Sequence, residues 1–521
     1  MTHSFSQSAL SHLTPADRVL FERFGKGPEQ AAAFSLVHRA FEAHAAAQPD
    51  AVAIEHLDET ITYGELDRRA NALAALLREH GVVPGDRVAL FVQRSIPMVV
   101  GLLATLKVGA AYVPQHVGVA PDAQLRHVIA TAGTRVILTL SSVRHLVPVP
   151  AGHTCIEIDR VPATSAVASR LQLDGSLACF VLFTSGTTGA PNGVAITHRN
   201  VCNILHTAPG NLGMGPGLRV SQILSIAFDM AAWEILGCLG HGGTLLIRGR
   251  SIEDTVARAD IVVATPSILG TLDADRCRHV RVVAVAGEPC PRPLADRWSA
   301  FAQFYNGCGP TEVTIVNTLQ HYTRFSERLT IGSPTPNNTV YILDEDLRAL
   351  PIGDVGEMWA GGDCVSAGYL ANDALNAERY RADPFLGGRR MMFRTRDLGR
   401  WTPDGQLEHL GRTDDQVKVR GFRVELDSVS RVLETTRDCR QAATLKLDDR
   451  HLIGFVTPRS VDVDAARAHV AARLPYYCVP EFILALDELP QTSRGKIDKR
   501  ALLDIAHAVT AQPAVAAGGR R

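Results

Sequence analysis

Short apolar runs rich in β-branched residues, alternating with helix-length stretches, constrain this chain more than any other feature. Ala51–Ile54 gives way to the amphipathic 65–81, and Arg87–Val92 to 97–109; further runs follow at 134–140, 179–184, 243–247, 260–265 and 280–287. A buried strand, then a helix, then another buried strand is the pattern of parallel βαβ units. The chain is therefore expected to be α/β, with a large N-terminal domain of several subdomains built on mainly parallel sheets. Over 325–410 glycines and prolines concentrate around the alternating run Thr339–Asp344, which suits a mixed β subdomain. Beyond about Asp414 a small α+β domain begins, with strand-like 416–425, 442–447 and 451–458 and helix-like 426–436 and 463–474. The boundaries read as a linker-like extension over 1–34, the large domain over 35–413, the small domain over 414–508 and an Ala-, Gly- and Arg-rich tail over 509–521 expected to be disordered.

A length of 521 residues, 46% of them hydrophobic, is enough for several cores. The net charge of −1 is spread along the chain and leaves no electrostatic footprint for nucleic acid or an anionic membrane. The ten cysteines contain no C-x-x-C pair, which argues against a zinc site and a disulfide framework and for a reducing cytoplasm. The first residues lack the basic-then-apolar pattern of an export signal, and no apolar run is long enough to span a membrane.

Several local patterns carry chemistry. Thr184-Ser185-Gly186-Thr187-Thr188-Gly189 follows a strand-like run directly, and its glycines and hydroxyls offer N–H and O–H donors to phosphate oxygens with nothing blocking close approach. Asn306-Gly307-Cys308-Gly309-Pro310-Thr311-Glu312 places one carboxylate in a tight loop, and Mg²⁺ on nucleotide phosphates takes one or two protein carboxylates. Asp397 suits paired ribose hydroxyls, and a Lys in the Gly495-Lys496-Ile497-Asp498 segment suits an acyl phosphate. Taken singly, each could be a surface turn, a cap or a solvated ion pair.

Together, in order, these motifs resemble the core set of the ANL adenylating superfamily, and most of all the amino-acid-activating adenylation domains of nonribosomal peptide synthetases. The resemblance runs from about Ser35 to Leu502 and includes Ile61–Leu66, Leu106–Pro114, Phe228-Asp229, Ala367–Leu370, Gln416–Gly421 and Leu489–Asp498. It implies that Thr184, Ser185, Gly186, Thr187, Thr188 and Gly189 hold the phosphates of ATP. It likewise places Asn306, Gly307, Cys308, Gly309 and Thr311 around the adenine side, Asp397 on the ribose, Arg412 on the nucleotide, and Glu312 on Mg²⁺. Lys496 is expected to act with Glu312 as the catalytic pair, contacting the substrate carboxylate and the transferring phosphate. Asp414 matches the hinge about which the small, mobile domain rotates between adenylation and thiol transfer.

Three residues depart from the family pattern. Asn192 stands where a Lys is common, Cys308 where an aromatic ring usually stacks on adenine, and Arg396 where a Gly usually precedes the ribose Asp. A lost base stack is worth about 1–3 kcal/mol, so a raised KM for ATP is expected, with the chemistry intact.

For the acyl substrate, the resemblance gives Asp229 the substrate ammonium, with Met230, Trp233, Val263, Ala284, Ala286, Gly287, Gly307, Ile315 and Val316 as the rest of the pocket. The alternative for Asp229 is a cap on a helix beginning near Ala231. With Trp233 the only large wall, a sizeable aromatic or branched aliphatic side chain fits best. No carrier-type Gly-Gly-x-Ser site follows Lys496. The expectation is therefore a free-standing ligase that activates an amino acid and passes it to the phosphopantetheine thiol of a separate carrier protein, with dependence on an MbtH-like helper left open. Activation of a β-amino acid, an acyl-CoA synthetase, and a catalytically weak nucleotide- or carrier-binding module are the alternatives.

Overall fold

The computed structural model describes residues 5–6, 8–163, 171–185, 190–491 and 497–510. The chain divides at Asp414 into two units; 118–127 and 185–191 are grouped with the second.

The first unit carries a nine-stranded, a six-stranded and a five-stranded sheet among the described residues. In the nine-stranded sheet the neighbouring strands Gln303–Cys308, Val282–Val285, Ile261–Ala264, Arg219–Gln222, Thr244–Ile247 and Val52–His56 all run parallel. Antiparallel strands Glu59–Thr62 and Thr318–Tyr322 flank them. In the six-stranded sheet only the last pair, Ala178–Thr184 with Asn192–Thr197, is antiparallel. The fold is thus α/β with mainly parallel sheets, as the alternation implies.

The helix Ile96–Lys107 shows why these residues fold this way. Ser95 caps it by accepting from the Met98 N–H, Pro97 sits in its first turn, and Gly109, at φ +79°, stands just beyond its end. Its residues are buried almost throughout, because it crosses between the parallel strands Arg87–Val92 and Ala111–His116. A Cβ at Gly101 would come within 2.9 Å of Leu90 Cδ1 and 2.8 Å of Ile158 Cδ1, so a glycine lets this helix lie close on the sheet. Each fully buried aliphatic side chain in such a layer contributes about 1.5–3 kcal/mol.

The five-stranded sheet, Asn338–Leu343, Gly356–Gly362, Tyr380–Ala382, Met391–Trp401 and Leu407–Arg412, is antiparallel throughout. The N-terminal segment packs into it: Phe5, Leu10, Leu13 and Phe21 share a core with Tyr341, Trp359 and Phe385, and the Phe21 and Tyr341 rings stack at 5.9 Å. In the second unit, Gln416–Val419 pairs with Phe422–Glu425, and Gln441–Lys446, Leu452–Thr457 and Phe482–Ala485 form a three-stranded sheet covered by helices Leu426–Glu434, Val463–Ala471 and Lys499–Thr510. The last helix includes the first residues of the segment expected as a tail; the rest lies outside the described residues. All ten cysteines are free thiols.

Candidate active site

The carboxyl ends of the parallel strands form the framework, the place where open α/β sheets bind ligands. Register sets Val263 beside Ala284 and Ala284 beside Tyr305, so residues two further along, Ala286 just past its strand and Gly307 near the end of Gln303–Cys308, continue the same row. Val263, Ala284, Ala286, Ile315 and Val316 are all buried. Gly287 turns away with φ +90°, and a Cβ there would lie 3.8 Å from Met230 Sδ and 3.7 Å from Thr265 Cγ2, which brings Met230 to these strand ends.

Asp229 and Met230 open the helix Asp229–Gly240, and Trp233 follows one turn later. The helix starts at Asp229 itself, with Phe228 in the capping position and no side-chain cap, so Asp229 is not the cap of a helix beginning at Ala231. Asp229 is 9% exposed as a residue, in an otherwise largely apolar helix. Trp233 is fully buried and donates its indole N–H to the Gly210 carbonyl at 2.6 Å, which fixes the ring.

The loop after Gln303–Cys308 is shaped by close approach. A Cβ on Gly309 would stand 2.7 Å from Val316 Cα, and one on Gly307 2.9 Å from Val316 Cγ1, so both positions require glycine for Ile315 and Val316 to fold back on the strand. That return is made by Thr314 and Ile315, both in the left-handed region at φ +59° and +68°, with the Thr314 hydroxyl donating to the Cys364 carbonyl at 2.8 Å. Non-glycine residues held this way store about 1–3 kcal/mol each and concentrate at functional sites. Thr311 and Glu312 lie in the turn just before, and Glu312 is fully buried, its Oε1 accepting from the Tyr369 hydroxyl at 2.7 Å. Asn306 commits its Nδ2 to the Thr330 carbonyl at 2.6 Å, and Cys308 is half-buried.

The Ala367–Leu370 motif joins two of these stations. Its backbone bonds to Gly193 and Ala195 on the strand after the phosphate loop, while Tyr369 reaches Glu312. Asn192, the residue in the usual lysine position, accepts from Asn372 Nδ2 at 3.0 Å, and Asn372 in turn caps the helix Asp373–Arg379. Thr184 ends its strand and Ser185 continues from it; Gly186, Thr187, Thr188 and Gly189 lie outside the described residues. Lys496 lies outside them too; Asp498 beyond it donates its N–H to the Pro490 carbonyl at 2.8 Å.

Asp397 is buried, with Arg412 Nη1 at 2.5 Å and His409 Nε2 at 3.4 Å. Burial alone would raise its carboxyl; the His409 hydrogen bond and the Arg412 guanidinium outweigh it and keep the group below its ordinary value, hence ionised at neutral pH. Arg412 also grips Asp414 with two bonds, at 2.8 and 3.1 Å. Arg396 adopts φ +63°, the conformation a glycine takes without cost, and reaches both Asp414, at 3.4 Å, and Glu378. Ion pairs therefore hold this departure in its left-handed backbone.

One buried carboxylate escaped the sequence reading. Glu234, in the helix with Asp229, is fully enclosed, and burial raises its carboxyl to about 8 against the pull of backbone donors and Arg94. A second acidic residue in the otherwise apolar run Asp229–Gly240 was the available signal. Glu288, after Gly287, accepts from Ser267 N and Oγ at 2.8 and 2.9 Å and ties the ends of two pocket strands.

Residues 41–370 match the family of AMP-binding enzymes. An adenylate-forming reductase of Coprinopsis cinerea is 47% identical over 95% of this chain and 49% of its own length, and a second from the same fungus is 45% identical over 96% and 49%. The chain thus spans about half the length of these relatives. A solved structure of a nonribosomal peptide synthetase protein containing adenylation and PCP domains, bound to a vinylsulfonamide inhibitor, superposes with a TM-score of 0.81 at 26% identity, covering 94% of this chain and 86% of that one. The chain belongs to the AMP-binding enzymes of the ANL superfamily, and it is an adenylate-forming enzyme of the nonribosomal-synthetase adenylation type. Among the described residues no helix is long and apolar enough to cross a membrane.

Proposed function

We propose that this enzyme activates an amino acid with an aromatic or bulky aliphatic side chain, and that the burial of Asp229 beside the apolar strand ends is the observation that carries this reading. A carboxylate that opens the helix carrying Met230 and Trp233 can accept a charge-assisted hydrogen bond from a substrate ammonium. The amino acid's carboxylate oxygen attacks the α-phosphorus of ATP, a new P–O bond forms, the bond to the β-phosphate breaks, and pyrophosphate leaves with the aminoacyl-AMP retained. Asp229 holds the ammonium, Asp397 accepts from the ribose hydroxyls, Asn306 and Arg412 orient the nucleotide, Thr184–Gly189 cradle the phosphates, and Lys496 faces the charge that develops between carboxylate and phosphate.

Glu312 fits a magnesium ion: it is an enclosed carboxylate fixed in place by the Tyr369 hydroxyl. The ion, when bound, neutralises phosphate charge. The phosphopantetheine thiol of a carrier protein then attacks the acyl carbon, a thioester forms, the bond to the phosphate breaks and AMP leaves. The resemblance to adenylate-forming reductases, of which the chain covers about half, favours a second reading of the last stage, in which an external hydride donor reduces the carrier-bound thioester to the aldehyde and the carrier thiol leaves, a step assigned to no residue of this chain. An MbtH-like helper is a further candidate partner, tested by co-expression.

ATP–pyrophosphate exchange across a panel of amino acids tests the reading. Exchange driven by large apolar amino acids is the expected result; exchange driven by fatty or aryl acids lacking an amino group contradicts it.

A further inference from the structure

The path of the chain into Asp229 is held by side chains. After the strand Arg219–Gln222 the backbone crosses residues 223–228 to reach the helix. Glu234 Oε1 accepts from the Ile223 N–H at 2.8 Å, and Oε2 accepts from the Leu224 N–H and from Gln222 Nε2, both at 3.2 Å. Gln222 Nε2 also donates to the Leu224 carbonyl at 2.6 Å, and Arg94 Nη2 donates to the Ile223 carbonyl at 2.9 Å. Every backbone polar group of Ile223 and Leu224 is therefore engaged by one of these side chains. A tight turn follows, Phe228 N–H to the Ser225 carbonyl at 3.0 Å, and then Asp229.

An apolar side chain at 234 would leave the buried N–H groups of Ile223 and Leu224 without this acceptor, so the carboxyl group there fixes the path of the backbone. What Glu234 adds is position. We propose that Glu234, with Arg94 and Gln222, is a clamp that positions Asp229 and so sets the enzyme's preference for substrates bearing an ammonium group. The inference rests on the amino-acid reading above and adds the residues that enforce it; none of them touches substrate in this account.

Glu234→Gln preserves volume but leaves one oxygen to serve both backbone N–H groups, with Leu224 N at 3.4 Å from Oε1, and turns an NH₂ toward the Gln222 amide nitrogen, which weakens the hold on 222–224. The experiment compares kcat and KM in pyrophosphate exchange for the best amino acid, for the same molecule without its amino group, and for ATP, together with the melting temperature. The expected result is that the amino-to-des-amino ratio of kcat/KM falls by about tenfold or more, a fraction of what an ångström of misplacement costs a bound reactant. KM for ATP should change by less than about twofold. Arg94→Lys, which shifts the donor on the Ile223 carbonyl, is expected to lower the ratio in the same direction and carries the test if Glu234→Gln does not fold. If the wild-type enzyme is selective and the folded variants keep its ratio while losing stability or kcat, the clamp is overturned and Glu234 is a structural residue. A wild-type enzyme indifferent to the amino group overturns the amino-acid reading, and the clamp with it.

Discussion

Asp229 carries the choice of substrate in this account, because it is a buried acidic residue that opens the helix carrying Met230 and Trp233. A hydrogen bond to a charged group is worth roughly 1.5–3 kcal/mol. Asp229→Ala should therefore raise KM for the amino acid by about tenfold to a hundredfold and leave KM for ATP nearly unchanged, as initial-rate exchange assays will read. Equal effects on both constants would make Asp229 a structural residue. The three departures from the family pattern also resolve at this scale. Asn192 is tied into the cap of a neighbouring helix through Asn372, and Arg396 is anchored by Glu378 and Asp414. Cys308 offers no ring for adenine, in keeping with the raised KM for ATP expected from the sequence.

At the scale of elements, the strands were legible because burial on both faces writes a continuous apolar run, as in Val282–Val285, and helices such as Tyr63–Glu79 were legible from their amphipathic period. Gly309 was legible as part of a loop, but Asn306, Gly307 and Cys308 belong to the strand Gln303–Cys308, which the glycine disguised, and the left-handed Thr314 and Ile315 were not legible, since neither residue type signals that conformation. Glu234 was hidden for a related reason: its hydrogen-bond donors are two backbone N–H groups and the neutral Gln222 amide, which leave no spacing of opposite charges to find. The helices also hold a set of enclosed histidines. His38 on Val37–Ala47 lies 5.6 Å, ring to ring, from His198 at the start of His198–Leu205, and His206 beyond that helix lies 4.8 Å from His241.

Burial lowers both His198 and His206 to about 4; His241 and His44 add to the effect on His206, and burial, with His198, Arg39 and Lys107 nearby, holds His38 well below its ordinary value. These groups fold neutral, so their contribution is intact above the unfolded value near 6.5 and is lost as pH falls toward about 4. Each adds a slope of about 1.4 kcal/mol per pH unit within that window. Melting temperatures measured from pH 7 to 4 should fall, and His206→Phe should flatten the fall. A variant that loses stability as steeply as wild type would show that His206 does not couple folding to acid.

For the whole molecule, the division into two units falls at Asp414, the residue expected to be the hinge. Arg412 and Arg396 of the first unit both bind its carboxylate. A proline fixes φ and blocks the dihedral change a hinge needs. Asp414→Pro should keep adenylate formation near normal and slow transfer to the thiol by about a hundredfold or more, while Asp414→Ala, which loses the carboxylate without the rigid ring, should transfer far faster than the proline variant. Matching defects in both variants would place the effect in the arginine contacts and not in rotation.

The central claim, adenylation of an amino acid, is tested most directly by following an oxygen atom. The enzyme is incubated with ATP and a large apolar amino acid whose carboxylate carries heavy oxygen, and hydroxylamine is added to release the acyl group. Attack of the carboxylate on the α-phosphorus predicts AMP containing one heavy oxygen, formed together with pyrophosphate and the amino acid hydroxamate. Unlabelled AMP, or ADP with label in inorganic phosphate, or labelled AMP only when the amino group is absent from the acid, would contradict the account.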